Sequence, residues 1–166
     1  IAPAPATRRA AVRRSVRPRA TSTSNIAALS KRETSIPDDW NGKVDQTVQV
    51  VGVEGLKFNI ASFEVKAGSR VRIELANRSD MLHNLVIVRP GSTSPVANAA
   101  LKLGLDGMEL HFVPPMGEVL FHTGLLEPGK SESIFFEAPL TPGDYPFVCS
   151  FPGHAGTMQG VMRVRR

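Results

Sequence analysis

Short stretches in which apolar and polar residues alternate recur along this chain from residue 46 onward. QTVQVVGV (46–53) and SRVRIELA (69–76) both alternate, so that each places its aliphatic residues on one face. A period of two is typical of half-buried β-strands. The segment HNLVIV (83–88) is almost continuously apolar and predicts a further strand, which ends at Arg-Pro-Gly (89–91). These patterns indicate sheet rather than helix.

Residues 92–117 interrupt the strand pattern. PVANAALKLG (95–104) predicts a short helix, and two consecutive prolines keep the segment that follows irregular. Strand patterns then resume, separated by Pro-Gly turns, at EVLFH (118–122), KSESIFFEA (130–138), DYPFVC (144–149) and GVMRVR (160–165). About eight strands without alternating helices predict an all-β, Greek-key β-sandwich with a short helical flap between strands.

Length and composition agree with one folded domain and a tail. The chain has 166 residues, of which 42% are hydrophobic, and it contains 13 prolines and 14 glycines. This apolar content is sufficient for a core, and the many turn-forming residues suit short strands. No run of about 18 apolar residues occurs, so the sequence predicts no transmembrane segment in this chain. We expect the folded domain to occupy residues 44–166.

The basic charge is concentrated at the N-terminus. Residues 1–32 contain eight of the 20 Lys and Arg residues and no Asp or Glu, which leaves 12 basic against 15 acidic residues, a net charge of −3, from Glu33 onward. Residues 1–43 lack hydrophobic periodicity, so we expect them to form a disordered basic tail or linker.

Three hypotheses account for this tail. Its Arg-rich, Ser-rich and acid-poor composition is similar to that of organelle transit peptides, and its paired arginines are similar to twin-arginine export signals, although no apolar stretch follows them. Under either hypothesis the protein is exported, to a periplasm or an organelle lumen. The third hypothesis is contact with an anionic surface through the arginines. Because no aromatic residues are interleaved, we expect no specific nucleic-acid binding.

A single cysteine lies near the C-terminus, in YPFVCSFPGHAGTMQG. Without a second cysteine to pair with, Cys149 can be a buried apolar residue, a nucleophile or a metal ligand. His154 and Met158 follow it in a loop that contains Pro and Gly, and a thiolate, an imidazole and a thioether form a soft donor set that suits copper. Blue copper sites combine two histidines and one cysteine with a long axial methionine.

The second histidine is expected to be His83. It opens an apolar strand after the loop NRSDML (77–82), which can bring it to the end of the sandwich beside Cys149. The alternative is a core histidine bonded to a backbone carbonyl, which is favoured when His83 is considered alone. His111 and His122 have no cysteine or carboxylate at a ligand spacing, and we interpret both as structural or surface residues.

The segments MLHNLVIV (81–88) and CSFPGHAGTMQG (149–160) together resemble the azurin and auracyanin branch of the cupredoxins. In that branch a His-Asn pair lies upstream of a Cys-x4-His-x3-Met loop. The resemblance extends over about residues 44–165 and implies one type 1 copper ion. It also implies the ligands, with Met158 as the weak axial one and three strong ones, His83, Cys149 and His154.

The resemblance implies roles for residues around the ligands as well. Asn84 is expected to hydrogen-bond to the ligand loop, and the backbone N–H of Phe151 to point at the cysteine sulfur. The sequence departs from azurin in two ways. It lacks a second cysteine for a disulfide, and it has Leu82 in place of the glycine before the first ligand histidine. The second departure leaves open whether the backbone carbonyl of residue 82 contacts copper. We expect redox partners to dock on an apolar patch around the second ligand histidine, formed by Met81, Leu82, Met116, Pro152, Gly153 and Ala155.

The implied function is one-electron transfer between transient protein partners, such as cytochromes, by a monomer without catalytic activity. A copper nitrite reductase needs three further histidines at a second site. A multicopper oxidase needs a His-Cys-His bridge, whereas Val148 and Ser150 flank the cysteine here. Two alternatives remain open, a copper-binding module for delivery or storage and the electron-relay domain of a larger redox enzyme.

Overall fold

The computed structural model describes residues 31–166, and the predictions for the first 30 residues lie outside this range. Within it, the chain forms nine strands: β1 Gln46–Val53, β2 Lys57–Phe58, β3 Ser62–Lys66, β4 Arg70–Asn77, β5 Val86–Val88, β6 Val119–His122, β7 Ser131–Glu137, β8 Gly143–Val148 and β9 Gln159–Arg165. The same range contains one α-helix, α1 Thr93–Leu101, and two 3-10 helices, Asp38–Trp40 and Gly104–Gly107. No helix in the described range is long and apolar enough to cross a bilayer.

The strands form two sheets. The strand order is β2-β1-β4-β7 in one sheet and β3-β9-β8-β5-β6 in the other. Strand β1 is parallel to β4 and β3 is parallel to β9, whereas the other neighbours are antiparallel. The predicted all-β sandwich is confirmed. Strand β5 is shorter than the expected 83–88, because His83 leaves the ladder and forms an isolated bridge with Leu126.

The core lies between the sheets and consists of the residues that alternate along the strands. On β4, Val71, Ile73 and Leu75 are completely buried, and the residues between them are partly exposed. They belong to one apolar cluster with Phe147 and Met162 of the other sheet. Burying an aliphatic side chain of this size contributes about 1.5–3 kcal/mol. This packing fixes the strand ends from which the candidate site is built.

The expected helical flap is present between β5 and β6. Helix α1 begins at Thr93, two positions before the predicted start, and its residue Val96 is completely buried in a second apolar cluster. Beyond the helix the chain turns at His111 and Phe112, which both adopt left-handed φ angles, 54° and 53°. The Phe112 ring covers Gly107 so closely that a Cβ atom at this position would overlap it. The flap therefore packs on the sandwich through Val96, and the Phe112 ring packs within the flap itself.

Residues 31–43 lie against the sandwich rather than apart from it. The carbonyl oxygens of Lys31 and Glu33 accept hydrogen bonds from backbone N–H groups of β6 and β7, respectively. Between them, the Arg32 guanidinium forms an ion pair with Glu132 of β7. This segment therefore connects the two sheets.

Trp40 anchors the end of this segment. It is completely buried, its ring meets Phe135 of β7 edge-on at a centroid distance of 6.5 Å, and the Arg70 guanidinium carbon lies 5.6 Å from its ring centroid. This differs from the boundary expected at residue 44. A single buried aromatic residue in a polar segment produces no periodic pattern, so hydrophobic periodicity gives no sign of this contact.

Candidate metal centre

Three donor side chains meet at one end of the sandwich. Cys149 follows β8 directly and His83 precedes β5, and these strands pair antiparallel, with Val86 opposite Val148. The Cys149 Sγ atom lies 3.8 Å from His83 Nδ1 and 3.6 Å from His154 Nδ1. All three ligand atoms lie within 4.8 Å of one another, and all three residues are buried. Among residues 31–166, no other His, Cys, Asp or Glu side chains form such a group.

A tight loop between β8 and β9 carries the last two sequence-predicted ligands. Its ends are joined by a hydrogen bond of 2.9 Å from the Cys149 N–H to the Met158 carbonyl. Inside the loop, the His154 carbonyl accepts the Met158 N–H at 2.9 Å. Gly153 has a φ of 87°, which a residue with a Cβ atom rarely adopts, and so permits the turn just before His154. The loop is therefore held by its own backbone.

Met158 is completely buried beside the cluster. A Cβ atom built on Gly52 of β1 would lie 3.1 Å from His83 Cδ2 and 3.3 Å from Met158 Cε. Both side chains therefore approach the same point of the β1 backbone, where glycine leaves room for them. The sequence analysis did not identify Gly52, although a glycine inside a strand often marks such a close approach.

Burial controls the protonation of the donors. It lowers the pKa of His83 to about 4, with a further contribution from the nearby His154 ring, and it lowers the pKa of His154 as well. Both imidazoles are therefore neutral near pH 7 and can offer a lone pair. Burial raises the pKa of Cys149 to about 11, although backbone N–H groups of Asn84 and Phe151 at the sulfur act in the opposite direction. A metal ion that binds here must displace the thiol proton.

Asn84 connects the ligand loop to the flap. Its Oδ1 atom accepts the Ser150 N–H at 2.8 Å, and its Nδ2 atom donates to Ser150 Oγ at 2.9 Å and to the His111 carbonyl at 2.8 Å. The Ser150 hydroxyl in turn donates to the Phe112 carbonyl at 2.7 Å. Of the two left-handed residues of the flap, His111 thus binds Asn84 through its carbonyl and Phe112 binds Ser150, the residue that follows the cysteine. The sequence analysis identified Asn84 but not the part played by Ser150.

Aromatic rings pack around His154. Its ring centroid lies 4.8 Å from that of Phe151, which meets Phe112 edge-on at 5.1 Å. The side chain of His154 is nearly enclosed, since the residue is only 3% exposed. Aromatic side chains therefore shield this histidine from solvent.

The residues expected to form the docking patch occupy three environments. Met81 is 41% exposed and Leu82 is partly exposed, immediately before His83. Met116 is partly buried against the second apolar cluster. The remaining three belong to a shallow cavity that the ligand loop shares with α1, namely Pro152, Gly153 and Ala155.

His111 and His122 do not join the cluster. The Nδ1 atom of His111 accepts the Leu125 N–H at 3.0 Å, and its Nε2 atom lies 3.1 Å from Arg32 Nη1. The Nδ1–H of His122 donates to the Thr123 carbonyl at 2.9 Å. Both rings are engaged by local partners, which agrees with their interpretation as structural residues.

The chemistry of this donor set fits copper. One thiol and two neutral imidazoles converge in a buried space, with a thioether side chain packed beside them and no carboxylate in the group. Soft sulfur and imidazole donors favour copper, whereas hard cations such as magnesium and calcium require oxygen ligands.

Comparisons with known proteins agree with this chemistry. The model of a family described as copper binding proteins, plastocyanin/azurin family, matches residues 45–165. An azurin from Bordetella pertussis is 32% identical over 126 residues, which cover 71% of this chain and 83% of that protein. Auracyanin-B from Chloroflexus aurantiacus is 35% identical over 127 residues, 72% of this chain and 52% of that protein.

A solved structure shares the fold at a similar level of identity. The reduced auracyanin of the photosynthetic bacterium Roseiflexus castenholzii superposes with a TM-score of 0.66 at 32% identity, covering 75% of this chain and all of that one.

Proposed function

Because this chain belongs to the plastocyanin/azurin family of copper-binding proteins, we propose that it is a type 1 copper protein that transfers single electrons between redox partners. The observation that carries the proposal is the buried convergence of His83, Cys149 and His154 at the end of the sandwich. Copper supplies a one-electron couple when it is bound, and the protein supplies the coordination that both oxidation states share.

We assign the strong ligand positions to His83 Nδ1, His154 Nδ1 and Cys149 Sγ, and the weak axial position to Met158. The short separations of the first three atoms and the complete burial of Met158 support this assignment. The backbone N–H groups of Asn84 and Phe151 at the cysteine sulfur stabilise its anionic form and so tune the centre.

Rigidity of the site suits electron transfer. The backbone N–H of Cys149 donates a hydrogen bond to the Met158 carbonyl, and Asn84 forms two hydrogen bonds with Ser150. These contacts hold the donors in one arrangement, so little structural change needs to accompany the gain or loss of an electron. A delivery or storage protein instead needs a metal ion that leaves readily, which the enclosed site disfavours.

We place the docking surface over His154, at the apolar residues of the ligand loop and the residues that precede His83. Its partners are redox proteins such as cytochromes that bind transiently, since small apolar contact areas suit short-lived complexes. We propose a monomeric carrier without catalytic activity, exported to a periplasm or an organelle lumen. Our proposal for the domain arrangement is a folded unit that begins no later than residue 31, preceded by the basic segment.

Addition of copper to the metal-free protein tests the function directly. One equivalent of Cu(II) is expected to produce an intense blue absorption from thiolate-to-copper charge transfer, which a reductant bleaches and an oxidant restores through repeated cycles. A colourless Cu(II) complex would exclude a type 1 centre. A blue complex that loses its copper on each reduction would favour delivery or storage instead.

Met158→Leu tests the division of ligand roles. The variant is expected to keep its copper and its blue colour, because the other three donors supply most of the binding energy. Its reduction potential should rise, because loss of the thioether destabilises Cu(II) more than Cu(I). If the variant loses ten times more affinity for Cu(II) than for Cu(I), its reduction potential rises by about 59 mV. Cyclic voltammetry measures the shift, and Met162→Leu, a change at a buried core methionine of β9, serves as the control. A lower potential in Met158→Leu would contradict the axial assignment.

A further inference from the structure

His83 presents one ring nitrogen to the cluster and the other to a buried serine. Its Nδ1 atom lies 3.8 Å from Cys149 Sγ, and its Nε2 atom lies 2.6 Å from Ser79 Oγ. A neutral imidazole carries its proton on only one nitrogen, so His83 can offer the Nδ1 lone pair to a metal only as the Nε2–H tautomer. The partner of Nε2 therefore decides whether the ring is ready to bind.

Asn77 offers the Ser79 hydroxyl an acceptor other than the His83 ring. The Asn77 Nδ2 atom donates to the carbonyls of Met81, at 2.7 Å, and Leu126, at 3.0 Å. The Oδ1 atom of the same amide therefore faces Ser79 and can only accept. Ser79 donates to it twice, from the backbone N–H at 3.1 Å and from the hydroxyl at 3.0 Å.

The Met81 carbonyl is a second acceptor within reach of the Ser79 hydroxyl, at 3.4 Å. With its proton directed at this carbonyl or at Asn77, the Ser79 oxygen has two lone pairs left. One accepts the Met81 N–H at 3.2 Å, and the other faces His83 Nε2 at 2.6 Å. A hydroxyl has one donor and two acceptor positions, and this arrangement uses all three. In this arrangement the short contact with His83 is a bond from Nε2–H to Ser79.

The network is closed and excluded from water. Ser79 is 8% exposed, and Asn77 and His83 are each 1% exposed. Leu126, whose carbonyl Asn77 binds, also exchanges two backbone hydrogen bonds with His83, at 3.2 and 2.7 Å. The backbone and the ring of His83 are thus held by the same few residues. In a dry site, solvent cannot replace a missing acceptor.

We propose that Ser79 is a positioning residue of the metal centre, whose hydroxyl, with its proton directed at Asn77 or Met81, holds His83 as the Nε2–H tautomer with Nδ1 directed at the metal position. This inference adds a positioning residue to the proposed copper site, and it rests on the proposed function for the identity of the metal ion. The tautomer itself is a property of the metal-free protein.

Long-range proton–nitrogen NMR of the metal-free protein reads the tautomer directly. In the wild-type protein, His83 is expected to show a protonated Nε2 and an unprotonated Nδ1. Ser79→Ala removes the acceptor and should populate both tautomers. Ser79→Thr retains the hydroxyl and should restore the wild-type pattern.

Copper affinity provides the second measurement. Competition with a Cu(I) chelator is expected to show binding about tenfold weaker in Ser79→Ala and close to wild type in Ser79→Thr, since loss of a group that orients a ligand costs about 10–100-fold in affinity. Ser69→Ala is the matched control. Ser69 is also a buried serine, its hydroxyl donates to the Lys66 carbonyl at 2.6 Å, and it precedes β4, at the strand end opposite Asn77. This variant should change neither the tautomer nor the affinity.

Two results would overturn the proposal. One is a wild-type His83 that carries its proton on Nδ1. The other is a Ser79→Ala variant that keeps a single Nε2–H tautomer and an affinity within about twofold of wild type, well short of the loss expected. If Ser79→Ala does not fold, the wild-type protein still tests the proposal, because a proton on Nδ1 of His83 contradicts it. If the wild-type protein fails to bind copper, the proposed function is wrong. The His83 tautomer of the metal-free protein still tests whether Ser79 orients this ring.

Discussion

Replacement of Cys149 with serine is expected to abolish the blue absorption of the copper-loaded protein completely. The band arises from charge transfer between a thiolate and Cu(II), and the chain has no other cysteine to supply one. A serine oxygen is a hard and weakly acidic donor, so copper affinity should fall as well. Visible absorption and electron paramagnetic resonance after addition of one equivalent of Cu(II) measure both effects.

The sandwich should survive this change. Cys149 lies at the end of β8 and its neighbours in the core are unchanged, so circular dichroism of the metal-free variant is expected to match wild type. His122→Ala is the control for loss of a potential ligand outside the cluster and should leave the blue band intact. An unchanged band in Cys149→Ser, or its disappearance in His122→Ala, would contradict the assignment of the centre.

Removal of residues 1–43 is expected to destabilise the protein far more than removal of residues 1–30. The longer deletion takes away Trp40, which is completely buried, and the backbone hydrogen bonds of Lys31 and Glu33. Loss of a buried tryptophan side chain alone costs about 3–5 kcal/mol. We therefore expect the free energy of unfolding of the metal-free protein to fall by at least this amount, measured by denaturant titration.

Two point variants separate the tryptophan from the rest of the segment. Trp40→Ala in the full chain should reproduce most of the loss, whereas Leu140→Ala, at a residue that is 82% exposed, should change stability by less than about 0.5 kcal/mol. A protein without residues 1–43 that unfolds at the same denaturant concentration as the protein without residues 1–30 would place the start of the folded unit after residue 43, as the sequence pattern alone suggests.

The parts of the molecule that sequence analysis predicts best are those with a local signature. Alternation identifies β1 and β4 nearly to the residue, because each buries one face along its whole length. The spacing of Cys149, His154 and Met158 predicts a loop that brings three soft donors together, because all three lie within ten positions. In these segments the residues that come together in the structure are also close in sequence, so a local pattern reveals them.

The parts that escape prediction depend on contacts between distant segments. The packing of Trp40 against Phe135 and the close approach of Gly52 to His83 join elements that no periodic pattern links. The Ser79 network is short in sequence, but NRSD is equally consistent with an ordinary polar turn. Only the burial of its hydroxyl distinguishes a support for the metal centre from a solvated loop.

The parallel pairing of β3 with β9 also bears on the order of events during folding. It joins segments that lie far apart in sequence, and Glu64 and Arg165 form an ion pair across 101 positions. Pairings this distant slow folding, because much of the chain must be ordered before they form. Cys149, His154 and Met158 are already neighbours in the unfolded chain, whereas His83 joins them only when β5 and β8 pair. We therefore expect the loop alone to offer copper three soft donors in the unfolded protein, and any affinity of this kind reduces the stability that copper adds to the native state.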